Sequence, residues 1–300
     1  MKKQIFLSII FICLVIMVFT RCTQTATTGH ANVNGASLYY EITGKGTPIV
    51  FLHGFTCDHR NWDPQVNYFS KKYKVITYDA RGHGQSSMPD TIPYSYAEDL
   101  ASLLDYLKIE KAVVVGHSMG GAPALFYTLD HPEKVLVLVL AEGGAATTSD
   151  TLLMSPRNLR DYFSGFSYVY NVFQYEGIEK ARAAWLTINP IKSAAENPLS
   201  SQLIKTMIND YSGWHWQNRD PQKSNPDGTP ELLGRLKTPT LIITGDLVHD
   251  AIKELVSFED TYIPNSKKVV LRNSNHMLNL ENPDQFNQEL MTFLNENNIK

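Results

Sequence analysis

At 300 residues the chain is too long for a peptide or a minimal binding module and suits one large α/β domain or two modest ones. Hydrophobic residues make up 43% and charged residues 19%, which excludes a disordered or coiled-coil chain. The 27 Lys and Arg against 30 Asp and Glu leave a formal charge of -3 and no basic block, so a nucleic-acid partner has no electrostatic footprint; the three cysteines, Cys13, Cys22 and Cys57, cannot build a disulfide scaffold or a zinc knuckle.

In chain order, Lys2-Lys3 precede an uncharged apolar run from Ile5 to Phe19, followed by Thr20-Arg21-Cys22. A basic start and an apolar stretch of this length predict an export signal or anchor over 1–22, since about 20 apolar residues are needed to span a bilayer comfortably. The placement of Cys22 resembles bacterial lipoprotein signals, in which that cysteine carries the lipid, although Phe19 and Arg21 depart from the usual small residues. An exported protein held at the cell envelope, membrane-tethered or periplasmic or extracellular, is the expectation. Residues 23–34, polar and rich in Thr, Asn and Gly, read as a tether. With Cys57 left at most Cys22 as an intrachain partner, a structural disulfide is not expected.

From Ser37 onward short apolar runs alternate with helical patterns. The runs Pro48–Leu52, Lys74–Tyr78, Ala112–Val115 and Val135–Leu140 barely alternate, as strands covered on both faces do. Ser95 with Glu98 makes a capping box, after which Leu100, Leu103, Leu104 and Leu107 form an apolar helical stripe. A second stripe, Ala122, Leu125, Phe126 and Leu129, follows Ser118. Strand patterns resume at Thr240–Ile243 and Lys268–Leu271, and a last helix spans about Asp284 to Leu294. This alternation predicts one doubly wound, mostly parallel α/β sheet built from 35–144 and 236–300. Between them, 145–235 carries Trp185, Trp214, Trp216 and a run of Tyr and Phe from Tyr162 to Tyr175, and predicts an inserted helical cap.

The residues that carry chemistry sit at the ends of these elements. Gly116-His117-Ser118-Met119-Gly120 falls between a strand and a helix, where a tight turn needs glycine on both sides of the serine and presents its hydroxyl at the carboxyl edge of the sheet. A serine hydroxyl is a weak nucleophile at neutral pH and needs a base; His276, just after the last strand, can reach the same edge. The remaining histidines read differently: His53 and His117 as parts of turns, and His59, His83, His131, His215 and His249 as loop or surface residues. His53-Gly54-Phe55 ends the first apolar strand, and the amides of Phe55 and Met119 form the natural pair of oxyanion donors.

With HGF at 53–55, Asp79-Ala-Arg-Gly-His-Gly-Gln-Ser86, GHSMGG at 116–121, and His276 followed by Glu281-Asn-Pro283, the sequence resembles the α/β-hydrolase family over roughly 35–144 and 236–297. The resemblance implies that 79–86 is a structural turn and that 145–235 is a cap governing substrate choice. Most family members carry the triad aspartate three residues after the glycine at 245, where this chain has Val248. Asp246 and Asp250 flank that place, while Glu142 lies where some relatives carry the acid instead, at the end of the strand before the cap. Glu142, Asp246 and Asp250 are the candidates, in that order, though Asp246 or Asp250 could equally cap the following helix and Glu142 be a solvated loop residue.

The chemistry that follows is hydrolysis of a small-molecule carboxylic ester through an acyl-enzyme, with an aromatic cap suited to an apolar acyl or aryl group and no metal or organic cofactor. An aspartate at 118 would be needed for epoxide or haloalkane chemistry. Alternatives are a serine hydrolase of amides, lactones or a C–C bond, or a non-catalytic, membrane-tethered binding protein of the same fold, which the valine at 248 would favour.

Overall fold

The computed structural model describes residues 26–145, 155–226 and 228–300. The expected signal and Cys22 lie outside the described residues; among those described, no helix is long and apolar enough to cross a membrane. An eight-stranded sheet runs in the order β1-β2-β4-β3-β5-β6-β7-β8, with β1 Thr27–Val33, β2 Ala36–Thr43, β3 Pro48–Leu52, β4 Lys74–Tyr78, β5 Ala112–His117, β6 Val135–Ala141, β7 Thr240–Gly245 and β8 Ser266–Leu271. The β1–β2 and β2–β4 pairs are antiparallel and the rest parallel.

The central strands are buried at nearly every position and mostly apolar because both faces are covered. Side chains alternate across a pleat, so Val50, Val114, Leu138, Leu140 and Ile242 enter one core layer. Phe51, Val113, Val115, Val139 and Ile243 enter the other. The first layer receives the helices α2 (Tyr96–Tyr106), α3 (Gly121–Asp130) and α10 (Asp250–Tyr262). The second receives α1 (Asp63–Phe69) and, at the end of the chain, α11 (Leu278–Glu281) and α12 (Pro283–Glu296). As the capping box predicts, the Ser95 side chain accepts from the Glu98 N–H at the start of α2.

Two readings are corrected. The stretch expected as a tether contains β1, an edge strand in which only Ala31 is buried, so no apolar pattern marks it. Its backbone hydrogen bonds, not its side chains, hold it in the sheet. His83, expected in a loop or at the surface, is buried under the cap, and His215, expected likewise, is half-buried on α8 with its ring 4.7 Å from that of His83.

Among the described residues the cap's regular elements are helices, α4 Pro156–Glu176, α5 Ile178–Trp185, α6 Lys192–Glu196, α7 Ser201–Asp210, α8 Trp214–Gln217 and α9 Pro230–Leu233, with an irregular stretch before α9 that bridges to Tyr94 through Gln222. Its aromatics do pack a core of their own, with Trp185 and Trp216 buried among Val169, Ile204 and Ile208. That core also takes in Cys57 and Met277 from the sheet's loops and Leu280 from α11, so the cap and the segments under it are packed as one cluster. At the rim, Arg60 bridges Asp58 and the cap's Asp210.

The start of α3 is pressed against the loop after β6, where a Cβ on Gly121 would overlap the Gly143 carbonyl oxygen. Because that neighbour is backbone, Gly121→Ala is expected to lower stability by about 1–3 kcal/mol, read as an earlier midpoint in urea denaturation with an unchanged slope.

Candidate active site

The strand β5 ends at His117, and the chain turns into α3 through Ser118, whose φ is +51°. A non-glycine residue in this left-handed region is strained, and strain of that kind persists only where the surroundings enforce it. Here they do. A Cβ at Gly116 would overlap the Gly120 carbonyl, and one at Gly120 would lie 2.5 Å from the Leu52 carbonyl oxygen. The turn can close only on glycines, and its own hydrogen bond runs from the Gly121 N–H to the Ser118 carbonyl.

His276 arrives on the loop after β8, 158 residues further on, and its Nε2 lies 2.8 Å from Ser118 Oγ. Three contacts fix that loop. The His117 ring Nε2–H donates to the His276 carbonyl at 2.8 Å, Asn275 Oδ1 accepts the His276 N–H at 2.9 Å, and the buried Glu281 carboxylate accepts the Asn275 N–H at 2.6 Å. Burial holds His276 well below the usual imidazole range, with neighbouring His117 adding to the effect. The ring is therefore neutral and can accept the serine proton. Its other nitrogen, Nδ1, is buried without a hydrogen-bond partner among the described residues.

The three carboxylate candidates separate clearly. Glu142 is buried, in a left-handed backbone conformation (φ +63°), and lines the same cavity as Ser118 and His276. Its oxygens accept the Gly245 N–H at 2.8 Å and the Thr244 hydroxyl at 3.2 Å, and burial raises its carboxyl well above the ordinary range. Asp246 is exposed and accepts the Ser274 N–H at 3.1 Å; Asp250 is exposed and paired with Lys253 at 3.0 Å. No hydrogen bond joins Glu142 or either aspartate to His276, and the side chain that caps α10 is His249 rather than an aspartate. Val248, at the position where an aspartate is usual, is buried in the core.

Phe55 and Met119 both line the cavity beside Ser118. Phe55's loop is held by His53, which donates from Nδ1 to the Gly54 carbonyl at 2.8 Å and accepts the Ala80 N–H on Nε2 at 2.9 Å. One neutral imidazole thus ties the 53–55 turn to the 79–86 turn. Asp79 organises that second turn, accepting N–H groups from His59 and Gln85, each at 2.7 Å. Asp58, His59 and Asp79 bring ligand-type atoms within 4.8 Å of one another. Asp58 is held by Arg60 at 2.6 and 2.9 Å, however, and the cluster belongs to these turns, not to the cavity.

The cavity measures about 310 Å³ and its walls are mainly apolar, from Phe166 and Trp185 of the cap, Ile252 and Leu255 of α10, and Met277. The cap aromatics were visible in the sequence as a cluster; Ile252 and Leu255 carried no signal beyond helical spacing.

With this geometry established, comparison with known proteins gives the class. Residues 47–283 match the α/β hydrolase fold family, and the chain belongs to it. It is 30% identical to a Synechocystis protein provisionally named a non-heme chloroperoxidase, over 89% of this chain and 98% of that one. It is 26% identical to a Bacillus subtilis protein named an uncharacterized carboxylesterase, over 83% of this chain and 79% of that one. Among solved structures, the one described as Est816, an N-acyl homoserine lactone degrading enzyme, is 27% identical with a TM-score of 0.68, covering 88% of this chain and all of its own. The fold is that of a hydrolase, and the family resemblance read from the motifs holds.

Buried and neutral, His117 is lowered to about 4 by burial. A depressed imidazole stabilises the fold above its unfolded value near 6.5, and that contribution is lost as pH falls towards 4. The stability deficit of His117→Gln relative to wild type should therefore narrow below pH 6.5, by up to about 1.4 kcal/mol per pH unit. Urea titrations across pH 8 to 4.5 measure it, and a deficit independent of pH would contradict the neutral assignment.

Proposed function

We propose that this protein hydrolyses small carboxylic esters through an acyl-enzyme on Ser118. The observation that carries the reading is the 2.8 Å hydrogen bond between Ser118 Oγ and the buried, neutral His276 in an apolar cavity. His276 Nε2 removes the serine proton as Oγ attacks the ester carbonyl carbon. The amides of Phe55 and Met119 meet the charge that develops on the carbonyl oxygen. As the tetrahedral intermediate collapses, the alcohol departs with the proton from His276, and water then releases the acid by the same route.

Glu142 is the acid of this triad. The imidazole Nδ1–H has no acceptor among the described residues, and Glu142 is the carboxyl group that shares its cavity. When His276 becomes charged, a nearby carboxylate in a dry site favours the imidazolium, and the imidazolium in turn draws the carboxyl into its ionised form. Relatives named for carboxylester and lactone cleavage support ester chemistry, a lactone being a cyclic ester. Near the lower end of the roughly 300–1,000 Å³ usual for small-ligand sites, the cavity suits short and medium acyl groups. Lys2-Lys3 and the apolar run to Phe19 support an exported or envelope-tethered hydrolase, with Cys22 as the lipidation candidate.

Fluorophosphonate labelling combined with p-nitrophenyl ester turnover tests the reading. Wild type should be labelled and turn over, with the highest kcat/KM on short and medium chains; Ser118→Ala should lose the label and on the order of 10^3-fold or more in kcat. Glu142→Gln should lose on the order of 10^2-fold or more in kcat, while Asp246→Asn stays within a few-fold of wild type. Because His276 is held below the ordinary imidazole range, its base form persists on acidification, so the acid limb of kcat/KM should fall below pH 6.5. An unlabelled wild-type Ser118 would favour a non-catalytic binding protein. Equal turnover in Glu142→Gln and wild type would remove Glu142 from the triad.

A further inference from the structure

A second buried carboxylate, remote in sequence from every motif above, grips the loop that carries Glu142. Glu259 lies on α10 with no exposed surface, and its Oε1 accepts the N–H groups of Gly144 at 2.6 Å and Ala145 at 2.7 Å. A carboxylate buried in a core is costly unless its oxygens are used; here Oε1 takes two successive amides of the chain leaving β6, while Oε2 is buried without a partner among the described residues. The gripped segment has little room to move. Glu142 and Gly143 both have positive φ (+63° and +97°), and the Glu142 N–H is tied to the Ile243 carbonyl at 3.0 Å. A Cβ on Gly143 would lie 2.5 Å from Leu255 Cδ2, and one on Gly144 would lie 2.9 Å from the Gly121 carbonyl oxygen. The loop is thus clamped between α10 and the start of α3, immediately beyond Ser118. Gly143 and Gly144 are themselves cavity wall, as are Ile252 and Leu255 from the same face of α10.

We infer that Glu259 is a positioning residue for the reaction on Ser118: by holding Gly144 and Ala145 it fixes both the placement of Glu142 and the part of the cavity wall that this loop forms. This rests on the hydrolase reading above. Burial pushes the Glu259 carboxyl up to about 7, with the two amide donors opposing that rise, so its grip strengthens as it ionises near neutral pH. The titratable group facing it is Glu142, whose own carboxyl it helps to raise. The charged groups on adjoining elements are engaged or turned outward: Glu254 bonds Ser155 and Asn158 at the start of α4, Asp260 pairs with Lys268 of β8, and Glu231 of α9 is exposed.

The experiment compares wild type, Glu259→Gln and Glu259→Leu in the full chain on p-nitrophenyl butyrate from pH 5 to 9, with kcat and KM separated and Ser118 counted by fluorophosphonate. Wild type should show, besides the acid limb of His276, a rise in kcat centred near pH 7. Glu259→Gln keeps an acceptor oxygen but cannot ionise, so that rise should be absent while KM changes less than about threefold. Glu259→Leu, which removes the acceptor, should lose at least tenfold in kcat at pH 8 with Ser118 still fully labelled. A side chain that only stabilises the fold would lower the melting temperature and leave the pH profile alone. A Glu259→Gln profile superimposable on wild type overturns the inference, including where Glu259→Leu fails to fold. Wild type that neither turns over nor labels overturns the hydrolase reading and this inference together, which is a different result.

Discussion

A single hydrogen bond, 2.8 Å between Ser118 Oγ and His276 Nε2, joins groups 158 residues apart, and the architecture around it can be understood as what that bond requires. Serine must stand in a left-handed turn that only glycine-flanked backbone can make, and the turn must sit where a strand covered on both faces stops. Histidine must be neutral, which burial ensures, and aimed, which His117, Asn275 and Glu281 ensure from three sides. Neither residue is reactive alone. Their juxtaposition in an apolar cavity is what distinguishes a nucleophile from a hydroxyl group.

The surroundings of that pair are held mainly by buried polar groups, each matched to backbone. His53 ties the turn bearing Phe55 to the turn organised by Asp79. Glu281 holds the histidine loop, and Glu259 holds the loop after β6. A polar side chain inside a core costs several kcal/mol when unpaired, so each such residue accepts or donates where a loop would otherwise leave its own amides or carbonyls unsatisfied. The cap closes over these loops and shares a cluster with Cys57 and Met277. Substrate shape and loop rigidity are therefore set by the same packing.

Much of this was legible in the amino-acid sequence, and what was not has physical reasons. The central strands announce themselves because burial on both faces leaves continuous apolar runs, and Gly116–Gly120 is readable because steric necessity dictates its glycines. β1 escaped notice because an edge strand is secured by backbone bonds that impose no side-chain pattern. His83 and His215 look like surface residues locally; His83 is buried and His215 half-buried only once α8 of the cap packs over the 79–86 turn, with ring centroids 4.7 Å apart. The acid was ambiguous for a similar reason. Glu142 meets Gly245 because β6 and β7 pair in register from Leu138–Thr240 to Ala141–Ile243, information that no local stretch contains. Glu259 sat hidden as one charge on the apolar face of α10, beside Leu255 and Val256, where a lone acidic residue is the only signal of a buried task.

Hydrolysis by this route requires that Ser118 become covalently acylated during turnover. Rapid acid quenching of p-nitrophenyl acetate turnover within the first catalytic cycles, followed by intact-mass and peptide analysis, tests it most directly. An added acetyl mass confined to the peptide containing Ser118, formed at least as fast as steady-state product, is the expected result. Product accumulating while Ser118 stays unmodified, or acetyl found on another residue at the rate of turnover, would contradict it.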